Sequence, residues 1–263
     1  MVKTMTKTQR ISLDQLWNSA SIADQVFDPE LLTDRPDLAR RYLEHAIAPG
    51  APLASAVRLW MHGKIKLGKT WHPFKGEEVI CWNRGMIWRA TTWMNGLPIW
   101  GADRIVDGVG EMKWKILGLF PVMQASGVDL TRSGVGRVQV ESIWLPSVLC
   151  NPDISWMELN ASQVEANFIA LGEPAKLTLT MNKQGLLEQV KLDRWGNPEG
   201  EAFHYVDFGG IAEASKTFDG YTIPTQLRVG WFFGSDRFEL PASDRFESEG
   251  EFFHCTIDKA IYR

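Results

Sequence analysis

Val57-Arg58-Leu59-Trp60-Met61-His62-Gly63-Lys64-Ile65-Lys66-Leu67 is the stretch on which the fold turns. Val57, Leu59, Met61, Ile65 and Leu67 alternate with Arg58, His62, Lys64 and Lys66, the period-two pattern of a strand with one buried and one wetter face. Trp60 is the exception on the polar side. The alternation returns in Glu111-Met112-Lys113-Trp114-Lys115-Ile116. Further strands are predicted over 76–82, 86–94, 103–110, 154–159, 163–170, 174–182, 185–194, 221–234 and 249–261, most of them bounded by turns containing Gly, Pro or Asn. Strands in this number, with few helices among them, imply one large antiparallel sheet.

Upstream of Pro52 the period is helical. Ser12-Leu13-Asp14-Gln15 has the spacing of a capping box, which predicts a short helix starting near Ser12. Asp28-Pro29-Glu30 and Arg35-Pro36-Asp37 put proline where a first helical turn tolerates it. Leu38, Tyr42, Leu43, Ala46 and Ile47 then recur at helical spacing until Pro49-Gly50. The chain therefore divides into an N-terminal helical extension, 1–52, and a sheet domain, 53–263, around one principal core.

One helix, at about 130–149, interrupts the strands. Val135, Val138, Ser142, Leu145 and Leu149 share a face, and Val140, Ile143, Trp144 and Val148 make most of the remainder apolar. A helix apolar nearly all round belongs in an interior. Pro146 should kink it or end its first part. The stretch 234–248 reads as a long surface loop.

Composition removes several function classes. A net charge of −4 gives no basic footprint for nucleic acid. No run reaches the roughly 18 apolar residues of a membrane span, and Met1-Val2-Lys3-Thr4-Met5-Thr6-Lys7 is followed by polar residues and not by the apolar core of a secretory signal. Cys81, Cys150 and Cys255 are odd in number and far apart, which suggests reduced thiols and a soluble, cytoplasmic protein. The histidines show no metal-binding spacing, and neither a G-x-S-x-G elbow nor a G-x-x-x-x-G-K loop is present, so no metal and no cofactor is expected.

Chemistry is most legible at Arg137 and Glu141, four residues apart on one face of the apolar helix. Buried charges need partners, so the two either pair as a structural ion bridge or face a polar cavity. Asp107, between Val106 and Gly108, is a further acid–base candidate, although Asp beside Gly also reads as a turn. Twelve tryptophans are unusual for this length and can pack a core, line a cavity or mark an interface.

The run Arg137 to Pro146 resembles the R-x-x-x-E-x-x-W-x-P core of an uncharacterised bacterial family, a domain of unknown function. Echoes occur in Arg41-Tyr42-Leu43, Val57-Arg58-Leu59 with Gly63, Trp71-His72-Pro73-Phe74, Val106-Asp107-Gly108-Val109-Gly110 and Phe218-Asp219-Gly220-Tyr221-Thr222-Ile223-Pro224, so the resemblance spans about 38–262. The arrangement is also similar to lipoprotein-carrier folds, twisted open half-barrels with helices plugging the concave side. That resemblance implies a β-rich α+β protein whose helix 130–149 lies on the concave face, with Trp88, Trp93, Trp100, Trp114 and Trp144 as cavity walls.

Two readings of function follow. In the first, the half-barrel binds or carries a hydrophobic small molecule or acyl chain whose polar end meets Arg137. In the second, the protein is an isomerase, cyclase or hydrolase of small molecules, with Glu141 or Asp107 as general acid–base and Arg137 as electrostatic partner. A protein-interaction module would require many exposed tryptophans.

Overall fold

The computed structural model of the chain describes residues 10–235 and 250–263. Among these residues thirteen strands form one antiparallel sheet that does not close. They are β1 (Ala56–Leu67), β2 (Thr70–Cys81), β3 (Gly85–Met94), β4 (Leu97–Val106), β5 (Val109–Ile116), β6 (Phe120–Ser126), β7 (Ser155–Glu158), β8 (Gln163–Ala170), β9 (Glu173–Met181), β10 (Leu187–Gly196), β11 (His204–Phe218), β12 (Tyr221–Trp231) and β13 (Glu251–Tyr262). The spatial order runs β6-β5-β4-β3-β2-β1-β13-β12-β11-β10-β9-β8-β7. Two up-and-down meanders are thus joined along the β1–β13 seam, where Val57 faces Tyr262 and Leu59 faces Ala260.

The connection from edge strand β6 to the opposite edge β7 has to cross the sheet. It does so as α3 (Val128–Val140) followed by two 3-10 turns, Glu141–Trp144 and Pro146–Cys150. Laid flat, thirteen strands would be roughly 58 Å wide, whereas these helical pieces span only about 40 Å. The sheet curls around them instead. Trp82, just past β2, and Phe168, on β8, lie seven strands apart in the sheet order, yet their rings are 5.8 Å apart.

Inside the curl, α3, the two turns and α2 (Asp37–Ala46) bury one continuous core against the sheet. A smaller apolar cluster lies on the outer face, where Leu13 and Leu16 of α1 (Leu13–Ser19) cover Val79, Ile87 and Val106. The expected capping box is present: the Gln15 amide donates to Ser12 Oγ at 3.1 Å, and Gln15 Oε1 accepts from the Ser12 amide at 2.7 Å. Tyr221, fully buried, stacks on Tyr262 at 3.9 Å, donates to the Pro52 carbonyl and accepts from the Ala54 amide, fixing the N-terminal segment to the seam. Among the described residues no helix is long and apolar enough to cross a membrane.

Several boundaries differ from the sequence reading. The strand expected over 103–110 belongs to two strands, because Asp107 and Gly108 have φ of 51° and 77° and form the β4–β5 hairpin turn. The helix expected over 130–149 is α-helical only to Val140; Pro146 cannot donate a backbone hydrogen bond, and beyond Val140 the chain continues as 3-10 turns. β6 and β11 were not expected: β6 is exposed on both faces, and β11 carries Gly209-Gly210 in place of a clear alternation. A Cβ on Gly209 would stand 2.4 Å from the Val190 carbonyl oxygen, so that strand needs its glycine. The loop expected over 234–248 lies, from 236 onward, outside the described residues.

Trp144 is 5% exposed, and its Nε1 donates to the Pro224 carbonyl at 3.1 Å. The Tyr262 hydroxyl donates to the Trp144 carbonyl at 3.2 Å. Trp144→Ala is expected to destabilise the fold by about 3–5 kcal/mol, measured by urea denaturation. A loss below about 1 kcal/mol, typical of surface substitutions, would show that this indole does not support the core.

Candidate functional site

Strand alternation places Glu78 of β2, Trp88 of β3 and Asp103 of β4 on the inner face. Pairing puts them in one row, Glu78 opposite Trp88 and Trp88 opposite Asp103. Trp114 of β5 follows on the same face, its ring centroid 5.5 Å from that of Trp88. Two glycines make room for these indoles: a Cβ on Gly101 would come within 2.2 Å of the Trp114 ring, and one on Gly76 within 2.9 Å of Trp88 Nε1.

Arg137, in the last turn of α3, comes down onto that row. Its Nε donates to Glu141 Oε1 at 2.5 Å, its Nη2 to Glu78 Oε1 at 2.9 Å and its Nη1 to Asp103 Oδ2 at 3.5 Å. The guanidinium carbon lies 5.1 Å from the centre of the Trp88 ring. Trp114 Nε1 donates to Asp103 Oδ1 at 2.8 Å. From the other arm of the curl, Arg194 of β10 donates to the Ser133 carbonyl on α3 at 3.1 Å and packs over Phe208 and Trp231.

Burial is graded. The Glu78 and Glu141 side chains are 0% and 8% exposed, while Arg137 and Asp103 retain 16% and 23%, so the cluster opens toward solvent on the Asp103 side. Burial raises all three carboxyls above the ordinary range, with Arg137 pulling each of them back. Glu78 rises furthest on physical grounds, because it is the most deeply buried and the neighbouring Glu141 carboxylate adds to the effect. Burial also works against the Arg137 charge, but Glu141, Glu78 and Asp103 outweigh it and hold the guanidinium more firmly protonated than a free arginine. Arg194, buried and facing Arg137, falls to about 10 and remains a cation at neutral pH.

Three carboxylates against two guanidiniums leave one negative charge in excess, which a proton on Glu78 would remove. That proton has a place to sit. Glu78 Oε2 and Glu141 Oε2 are both buried without a hydrogen-bond partner as long as both groups are treated as acceptors. A proton on one of these carboxyls would give it a donor of its own, and the neighbouring Glu141 favours that neutral form at Glu78.

The remaining candidates fall elsewhere. Asp107 is exposed in the β4–β5 turn, where Arg84 grips it with Nε at 2.9 Å and Nη2 at 2.5 Å and lowers its pKa. It does not face the inner cluster. Trp93 and Trp100 have the opposite strand parity from Trp88 and Asp103 and lie on the outer face, Trp100 half exposed. They therefore cannot be inner cavity walls. Trp144 is on the inner side but is engaged with Pro224. Glu78, Asp103 and Arg194 were not read from the sequence, although each is a charge on the apolar period of its strand: Glu78 beside Ile80, Asp103 between Gly101 and Ile105, Arg194 after Val190 and Leu192.

Two hollows lie apart from this cluster. One, of about 770 Å³, is an open groove on the outer face over β2–β5, lined by Lys75, Arg89, Trp100, Lys113 and Lys115 among others. The second, of about 470 Å³, sits between the arms, where Trp82, Val148, Ile154 and Phe168 meet Pro174 and Ala175. Asn151, Asp153, Asn167 and Lys176 stand at its rim.

The fold and site define an open antiparallel half-barrel with an ion-paired helix in its concavity. The chain belongs to a family of unknown function (DUF6920), whose pattern matches residues 33–262. No curated protein matches it. Among solved structures it is similar to a LolA superfamily protein from Nitrosomonas europaea, at 8% identity and a TM-score of 0.43, covering 86% of this chain and 92% of that one. A domain from Vibrio parahaemolyticus described as an outer membrane lipoprotein-sorting protein aligns at 7% identity and a TM-score of 0.39, over 80% and 86% of the two chains. A DUF1329 family protein from Desulfovibrio piger aligns at 14% identity and a TM-score of 0.31, over 86% and 90%.

Two outcomes are expected. Arg137→Met leaves buried carboxylates without their cation and should cost about 3–5 kcal/mol in a urea melt. Glu78 ionises near 4.5 in the unfolded chain and at higher pH when folded, so over that interval the folded state holds the extra proton and its stability falls as pH rises. Glu78→Gln keeps a neutral donor there and does not titrate. The stability of the wild type relative to Glu78→Gln should therefore decline as pH rises above about 4.5, measured by melts across a pH series; a flat or rising difference would show that Glu78 is ionised in the folded protein.

Proposed function

We propose that the protein binds or carries a hydrophobic small molecule or acyl chain in the hollow between its arms. The observation that carries this reading is the 470 Å³ space lined mainly by Trp82, Val148, Ile154, Phe168, Pro174 and Ala175. Its volume is within the usual range of small-ligand sites, about 300–1,000 Å³. A polar head would meet Lys176 and Asn167 at the rim, with Asp153 lining the same hollow. Arg137 is not available for that task, since each guanidinium nitrogen already has a carboxylate. The proposal also keeps the protein in the cytoplasm, where its three free, buried cysteines stay reduced.

The orphaned Glu78 and Glu141 oxygens favour a second reading, an isomerase, cyclase or hydrolase in which Glu141 exchanges a proton with a substrate entering from the Asp103 side. This reading uses Arg137 as the charge that steadies the pair. Asp107 has no part in it.

Titration with cis-parinaric acid, followed by the probe's own fluorescence, tests the first reading. Saturable binding is expected. It should weaken at least tenfold in Ala175→Trp and in Val148→Trp, which fill the hollow from opposite walls, with melting unchanged in at least one of them. Absence of binding to the wild type, or undiminished binding to both folded variants, would remove the proposal. Glu141→Gln should leave parinaric acid binding intact under either reading, and a probe recovered chemically altered by the wild type but not by this variant would establish the second.

A further inference from the structure

We infer that one end of the β1–β6 meander, formed by the β1–β2, β3–β4 and β5–β6 hairpin tips, docks on the surface of an anionic lipid bilayer. Strands β1 to β6 are consecutive and antiparallel, so these three turns share an end. The segments that form it, 64–75, 91–100 and 113–124, contain Lys64, Lys66, Lys69, Lys75, Lys113 and Lys115 and no carboxylate, in a chain whose net charge is −4. Lys75, Lys113 and Lys115 line the outer groove, and its carboxylate, Glu77, is held by Arg58 and Arg89. A cation-lined groove of this kind suits the phosphodiesters of lipid headgroups.

The same end exposes large apolar side chains. Leu119 and Phe120 are 71% and 63% exposed at the β5–β6 tip, with Leu97, Leu117 and Val122 beside them. Trp100 lies across Gly118, where a Cβ would come within 2.9 Å of the indole, and so links the β3–β4 and β5–β6 tips at the edge of the groove. Leu117 has φ of 51° in its turn, the conformation that Asn95 and Asp107 adopt in the neighbouring ones. Leucine is costly there compared with Asn or Asp, and exposure returns it little packing. Lysines around an apolar, Trp-bearing tip form the arrangement that settles into the headgroup boundary.

Other occupants fit less well. β6 is an edge strand, but Pro121 lies in it and the β5–β6 register is bulged between Trp114 and Lys115, both of which blunt strand pairing with a second copy. The inference stands on this face alone and does not depend on what the inner hollow binds.

Co-sedimentation of the full chain with vesicles of phosphatidylcholine, with and without phosphatidylserine, tests it. The wild type should pellet with the serine-containing vesicles and release in high salt. Lys113→Glu with Lys115→Glu, and separately Leu119→Asp with Phe120→Asp, should each reduce binding at least tenfold while melting as the wild type does. Glycerophosphoserine at the same headgroup concentration should not compete. Failure to pellet, pelleting of both folded double variants as strong as that of the wild type, or full competition by the soluble headgroup would overturn the inference. So would a wild-type dimer in sedimentation equilibrium that the Leu119/Phe120 variant loses, if no vesicle binding accompanies it.

Discussion

Arg137 is largely removed from water, and a guanidinium in that position is tolerable only if its donors are met by charge. Its three partners come from different places in the chain: Glu141 one turn on, Glu78 on β2 and Asp103 on β4. This requirement fixes more than a contact. A slip of one residue in the pairing of β2 or β4 would turn Glu78 or Asp103 to the outer face and leave the cation under-compensated in the interior. The ion cluster therefore specifies strand register in the first arm and the seat of α3 at once. Arg194, reaching from β10 to the Ser133 carbonyl, holds the same helix to the second arm. With α3 held on both sides, the sheet can only be curled.

The sequence made the strand period and the helix legible because those signals are local. The i,i+4 pair was readable for the same reason. Glu78 and Asp103 were not, since they lie 59 and 34 residues from Arg137 and meet it only through strand pairing. A stricter use of parity would have found part of this. Glu78 shares the period of Ile80, and a charge on an apolar period is itself a signal. The same parity separates Trp93 from Trp88, five residues apart on one strand, and puts Trp93 outside. Asp107-Gly108 was legible as a turn from its residue types, and the structure gives it that role. β6 and β11 were hidden for physical reasons: an edge strand wet on both faces has no alternation to show, and a strand rich in small residues shows it only weakly.

The two sides of the curl handle charge in opposite ways. On the inner side, cations and carboxyls are matched nearly one to one, and burial beside Glu141 favours the neutral form of Glu78. On the outer side, around Lys75, Lys113 and Lys115, lysines accumulate beside solvent, where repulsion is screened and costs little. Hydration explains the contrast: a solvated lysine tolerates an unmatched charge that a buried carboxyl cannot.

The balance inside limits what the inner cluster can accept. An anionic ligand head brought to Arg137 would add a negative charge to a group that already needs a proton to reach neutrality, and would have to displace Glu78, Asp103 or Glu141 into an interior where, among the described residues, Arg194 is the neighbouring cation. Displacing Glu78, the member whose neutral form burial favours, is the least costly exchange, but its carboxyl is the most deeply buried of the three and has nowhere wetter to go. A neutral group that both donates and accepts could instead enter from the Asp103 side without changing the charge count. Under the binding proposed for the hollow between the arms, a charged head would stay at its rim, where Lys176 and Asp153 are exposed to water and only the apolar part of the molecule need be buried.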